Sequence, residues 1–400
     1  MGSLPTRRFG RTGLEIPLLS LGTMRCQQSW SDLPAEEISD TSQLQLQATL
    51  DRAVAEGFHH VETARHYGTS ERQLGWALPK APDAKRLLQS KVPPRDDVVA
   101  FEAELELSFE RLDCDRLDLL AIHGINLPEH LEQTLRPGGC MEVVRRWQSQ
   151  GRIGSVGFST HGPTELIEAA CNTGAFDYLN VHWYYIRQDN GPALDAARRQ
   201  DMGVFIISPT DKGGHLHSPS QKMLDLCAPL HPIEFNDLFC LQDERVHTIS
   251  VGAASPTDFD RHLKAIDLLP NAVELIEPVH QRLEAAAVDA LGREWMATWH
   301  VGLPSWQDTP GEINLPVLLW LHNLLEAWDL ESFATARYRL LGHGGHWFAG
   351  SNADSFDDQV SVSDLQAVLG ASPWRARIPI ILAELKQRLA GDSQKRLTSI

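Results

Sequence analysis

Four residues have types and spacing that could do chemistry together: Glu62, Tyr67, Lys91 and His123. An acid, a phenol, an amine and an imidazole on one rim suit the reduction of a carbonyl. Hydride reaches the carbon, and a proton must reach the developing alkoxide. A tyrosine with the ordinary pKa of ~10 is too weak an acid at neutral pH unless an ammonium lies beside it. Lys91 is expected to supply that charge, Glu62 to pair with and orient Lys91, and His123 to hydrogen-bond the carbonyl oxygen.

The elements that must position these residues can be read from the pattern between residues 16 and 270. Short β-type runs at Leu18–Leu21, His60–Thr63, Leu87–Lys91, Leu117–His123, Ser155–Ser159, Tyr178–Trp183, Val204–Ser208 and His247–Val251 alternate with amphipathic helical stretches. Those stretches include Leu44–Glu56, Glu71–Leu78, Val99–Arg111, Glu142–Gln150, Thr164–Asn172 and Pro192–Asp201. Gly57, Gly151, Gly174 and Gly203 follow helices where a left-handed cap belongs. Eight strand–helix units predict a (β/α)₈ barrel, whose functional residues sit at the C-terminal strand ends. Glu62, Lys91 and His123 fall at three such ends, with Tyr67 just beyond the first. A doubly wound open sheet is the alternative, but Gly151 to Gly157 has the wrong glycine spacing for a dinucleotide fingerprint and precedes its strand.

The chain has 400 residues, 36 Lys+Arg against 53 Asp+Glu, and a formal net charge of −17. With 42% hydrophobic residues it can bury a large core. The acidic balance argues against a nucleic-acid or anionic-membrane partner. Six scattered cysteines, none after Cys240, and an N-terminus without an apolar run point to a reduced, cytoplasmic setting. After residue 270 the texture changes. The division expected is a barrel over 1–270 and a mainly helical extension over 271–400, which holds seven of the eleven tryptophans.

RRFGRTGLEIPLLSLGTM, GFHHVETARHYGTSERQLGWAL, LLQSKV, LDLLAIHG and VGFSTHG together resemble the aldo-keto reductases, over roughly residues 7 to 268. The resemblance implies an NAD(P)H-dependent carbonyl reductase on a (β/α)₈ TIM barrel, acting on a small-molecule carbonyl substrate. It implies Tyr67 as proton donor, Lys91 as its charge partner, His123 as substrate-orienting residue, and Glu62 in the place of the usual aspartate. On the cofactor side it implies Gly22, Thr23 and Met24 beside the nicotinamide. Ser159 and Asn180 fall on its carboxamide, with Thr160 and Asn180 replacing the usual asparagine and glutamine. Ser208, with Lys212 nearby, falls on the pyrophosphate. In Gly252 to Leu263 the usual 2′-phosphate lysine and arginine fall on Gly252 and Asp258, leaving Arg261, His262 and Lys264 as phosphate partners. NADPH is the cofactor expected, with NADH admitted, because a 2′-phosphate wants an arginine or a close lysine.

The extension resembles the C-terminal region of a branch of this family in which clustered cysteines hold an iron–sulfur centre. Cluster ligation needs about four thiolates per centre. The extension has no cysteine, so a ferredoxin-type scaffold without a cluster is expected. His343 and His346 lie in a glycine-rich loop without a carboxylate near in sequence, and no metal site is expected there. His59 and His60 read as packing residues. A second functional reading is a cofactor-binding protein of weak catalytic power, its Glu62 and cluster-free tail serving regulation or assembly. The residues specify no oligomeric state.

Overall fold

The computed structural model describes residues 4–80, 86–342 and 349–392. The chain divides into two compact units, one running to Gly213 and resuming over Ile233–Ala272, the other made of Gly214–Pro232 and the chain from Val273 onward. Within the 1–270 span assigned above to the barrel, Gly214–Pro232 therefore groups with the tail.

The first unit opens with an antiparallel hairpin, β1 (Thr6–Arg8) and β2 (Glu15–Pro17). Eight parallel strands follow: β3 (Leu19–Gly22), β4 (His60–Glu62), β5 (Leu87–Val92), β6 (Leu117–His123), β7 (Ile153–Ser159), β8 (Tyr178–Val181), β9 (Gly203–Ile206) and β10 (Thr248–Gly252). They close in sequence order, with β10 pairing β3. This is the (β/α)₈ TIM barrel, with a further helical region after it. The hairpin was not anticipated, because its two strands are only three residues long.

Buried residues run along both faces of most strands, as a parallel sheet covered by helices requires. One cluster inside the barrel joins Phe9, from the hairpin turn, with Leu119, Ala121, Tyr178 and Phe205. Gly203 makes room for it: a Cβ there would lie 2.5 Å from the Phe9 ring. This explains why Gly203 opens β9 and does not cap the preceding helix. The left-handed residue there is Asp201, at φ 49°. Gly57, Gly151 and Gly174 do take left-handed φ values.

Above this plug the lumen is polar. His60 bonds Ser20 Oγ at 2.8 Å, and Ser20 Oγ meets Thr248 Oγ1 at 2.7 Å. Helices fix the register outside. Asp40–Ala55 starts on Ser39, whose side chain accepts from Ser42 N–H, and Val98–Leu112 starts on Asp97, which accepts from Val99 and Ala100.

The second unit holds helices Ala272–Leu291, Leu315–Trp328, Val362–Val368 and Ile378–Leu389. Two of its tryptophans are tied into its packing by hydrogen bonds. Trp295 is buried and donates to Asn323 at 2.7 Å, and Trp328 donates to the Leu283 carbonyl at 3.0 Å. A short helix, Arg293–Thr298, lies between Ala272–Leu291 and Leu315–Trp328, its Trp299 N–H donating to the Trp295 carbonyl at 2.8 Å. No helix among the described residues is long and apolar enough to cross a membrane.

Burial pushes the His60 imidazole down to about 3 and His247 to about 4. Unfolded imidazoles take a proton near pH 6.5, whereas these stay neutral in the fold. Stability is therefore full above pH 6.5 and is lost as pH falls toward 4, by up to ~1.4 kcal/mol per pH unit for each group. His60→Gln is expected to flatten the fall of the thermal midpoint between pH 6.5 and 4. An unchanged slope would contradict this assignment.

Candidate active site

The C-terminal ends of β4, β5 and β6 bring the four candidates together. Glu62 ends β4, Lys91 is the penultimate residue of β5, and His123 ends β6. Tyr67 stands on the turn between β4 and helix Ser70–Ala77. Lys91 and Glu62 are 1% and 3% exposed, and Lys91 Nζ contacts Glu62 Oε1 directly. Lys91 also donates to the Thr63 carbonyl at 2.9 Å and to Tyr67 Oη at 3.1 Å. An ammonium has three N–H donors, and each here has a partner. Because Tyr67 Oη accepts from Lys91, the proton Tyr67 can give is its own.

Burial lowers the Lys91 pKa well below its ordinary value, and the adjoining Glu62 carboxylate is the group that holds a proton on it. His123 lies 5.9 Å from the Tyr67 ring, nearly perpendicular to it. Burial first, then the charges of Lys91, His66 and Lys212, push His123 well down, so it is a neutral imidazole. Trp30 meets the Tyr67 ring edge-on at 6.1 Å. Phenol, imidazole and indole thus border one small surface.

The cofactor candidates divide. Gly22 ends β3 and Ser159 ends β7, where its Oγ accepts from Gly124 N–H at 3.0 Å. Asn180 is buried in β8, and among the described residues its Nδ2 has no hydrogen-bond partner. An orphaned amide donor beside Ser159 fits a ligand carboxamide. Met24 is partly exposed, whereas Thr23 is buried and spends its hydroxyl on the Glu62 carbonyl and Ser70. Ser208, at φ 50°, heads the turn Pro209–Lys212, and the Lys212 charge is felt at His123.

The residues proposed for a 2′-phosphate are already engaged. Arg261 and Lys264 both pair with the buried Glu234, at 2.9 and 3.3 Å. His262 is fully buried, bonded to Asp237 at 2.5 Å. Asp258 accepts from Ala254 N–H at 2.8 Å and from Arg25 at 3.3 Å.

Sequence reasoning missed two groups. Arg65, Glu71 and Asp32 form an ion network behind Tyr67. Its signal was an arginine on the same strand-exit loop, six residues before a glutamate. His161 and His182 contact each other, stacked at 4.7 Å, and His182 bonds Tyr184 Oη at 2.6 Å. Among the described residues no group of three or more His, Cys, Asp or Glu side chains could hold a metal. His343 and His346 lie outside the described residues.

The sequence profile of the Aldo/keto reductase family matches residues 18–270. The chain belongs to this family. A curated relative, an uncharacterized oxidoreductase of Caenorhabditis elegans, is 25% identical over 214 residues, 51% of this chain and 59% of that protein. The aldo-keto reductase AKR11C1 from Bacillus halodurans, solved in its holo form, superposes with a TM-score of 0.58 at 17% identity, covering 70% of this chain and 96% of its own. A thermostable aldo-keto reductase, Tm1743, solved with the inhibitor epalrestat, gives 0.54 at 22% identity over 68% and 99%. These likenesses establish the barrel, and the family is one of oxidoreductases that generally bind NAD(P)(H).

Because the Glu62 carboxylate already touches Lys91, the site is built around the longer side chain. Glu62→Asp is expected to lower kcat/KM by roughly tenfold to 100-fold. A gain in activity would contradict that geometry.

Proposed function

We propose that this aldo/keto reductase reduces an aldehyde or ketone to an alcohol with NAD(P)H, and that Tyr67 is the proton donor. The observation that carries the reading is the Glu62–Lys91–Tyr67 chain, with all three Lys91 donors spoken for and the phenol turned toward neutral His123.

A reduced nicotinamide, when bound, would supply the hydride. His123, as a neutral imidazole, donates one hydrogen bond to the carbonyl oxygen and holds it beside the phenol. As the carbon–oxygen π bond breaks and a C–H bond forms, negative charge gathers on oxygen, and Tyr67 transfers its proton there. Lys91 stabilises the phenolate left behind, and Glu62 keeps Lys91 charged in a buried position. Ser159 and Asn180 would orient the carboxamide, and Lys212 would face the pyrophosphate. Trp30 supplies an apolar wall beside Tyr67.

Preference between the two cofactors is expected to be weak. Glu234 has claimed Arg261 and Lys264, and Asp237 has claimed His262, so a 2′-phosphate gains little new pairing. NADP⁺ should bind no more than about tenfold tighter than NAD⁺, a difference of ~1.4 kcal/mol by calorimetry. A preference of three decades would contradict it.

The deciding experiment is NADH and NADPH oxidation over a panel of aldehydes and ketones. Tyr67→Phe is expected to keep cofactor affinity and lose about 100- to 10,000-fold in kcat. A Tyr67→Phe protein with full turnover, or cofactor binding with no turnover of any carbonyl, would overturn the reading.

A further inference from the structure

Arg65 is 6% exposed and lies two residues before Tyr67, on the same strand-exit turn. Its guanidinium takes two carboxylates from two different elements. Nη1 meets Glu71 Oε2, on helix Ser70–Ala77, at 2.5 Å, and Nη2 contacts Asp32 Oδ2, on the loop after β3. Glu71 is fully buried and held again by Ser90 Oγ at 2.6 Å, and Asp32 is held again by Arg111 at 2.8 Å. The Arg65 backbone N–H donates to the Lys91 carbonyl at 2.9 Å. A single residue therefore ties the strand of Lys91, the helix behind Tyr67 and the loop that carries Trp30.

The docking of that loop has further supports. Thr69 N–H donates to the Ser29 carbonyl at 3.0 Å, and Gln28 N–H donates to Thr69 Oγ1 at 3.1 Å. The loop presses on Gly68 so closely that a Cβ there would lie 2.0 Å from Ser29 O, at φ +54°. Asp32 is the charged fastening at the far end of this segment, beyond Trp30.

We propose that Arg65 is a positioning residue, latching the Gln28–Asp32 strap to the Tyr67 turn so that Trp30 stands fixed against the phenol as a wall of the substrate pocket. The inference rests on the reading of Tyr67 as the proton donor. A planar fork reaching two carboxylates explains why arginine is used, since lysine offers a point charge and cannot span both. Releasing the latch frees Trp30 and the carbonyl it confines, with little change in the Lys91–Tyr67 contact. The loss should therefore fall on KM more than on kcat.

Arg65→Met would leave the buried Glu71 carboxylate without its cation, at a cost to folding; Asp32→Asn, at a side chain 30% exposed, is the cleaner test. It weakens the strap fastening and keeps the Arg65–Glu71 pair. The Trp30 emission is obtained as the difference between each protein and its Trp30→Phe counterpart. Asp32→Asn is expected to red-shift that emission and raise acrylamide quenching. The carbonyl KM should rise about tenfold with kcat changed less, and NADH affinity should be kept. Arg65→Lys should fall between wild type and Asp32→Asn in both readouts. Wild-type Trp30 emission and wild-type KM in Asp32→Asn would overturn the latch. If no carbonyl is turned over by the wild-type protein, the fluorescence still decides. A shifted Trp30 then supports the latch while the reductase reading fails.

Discussion

The structure of the site depends on one buried ion pair, Glu62 with Lys91. Both side chains sit almost wholly inside the barrel, where an unpaired charge would cost several kcal/mol. Pairing alone would make an inert buried bridge. Here the ammonium has two more donors, and the barrel spends one on a backbone carbonyl and the other on Tyr67. The pair thus turns a charge that must be compensated into a directed hydrogen bond at the rim, donated to Tyr67 Oη.

The parallel strands make this economical. In the register of β4, β5 and β6, Glu62 pairs with Gln89 and Lys91 with Ala121, so the carboxylate and the amine enter the lumen from adjacent strands at neighbouring levels. Below them Ser20, His60 and Thr248 form a polar floor, and Phe9 closes the far side. The loop after β3 carries Trp30, which meets the Tyr67 ring edge-on.

Much of this was legible in the residues. Eight apolar runs separated by amphipathic helices can be counted, and strand ends are visible as the places where polar residues begin, which is why Glu62, Lys91 and His123 stand out. The hairpin was hidden because three-residue strands leave no alternation to detect. Gly203 was misread as a cap because a glycine after a helix looks the same whether it serves φ or close packing. The Arg65 network was missed for a different reason. Asp32 and Arg65 are far apart in sequence, and nothing local shows that the loop folds back to bring them together. Likewise His262 looked available for a phosphate, since a histidine on a helix gives no sign of the buried Asp237 it faces. The grouping of Gly214–Pro232 with the tail depends on contacts such as Arg282 with the Leu226 carbonyl, which no local pattern announces.

The account stands on hydride going to carbon while oxygen takes a proton from the protein. Single-turnover reduction of an aldehyde in ordinary water, with the nicotinamide deuterated at its transferable position, tests this directly. The account predicts one deuterium on the carbinol carbon of the product and none on exchangeable positions. Alcohol without deuterium on that carbon, or aldehyde recovered unchanged with the cofactor still reduced, would contradict it.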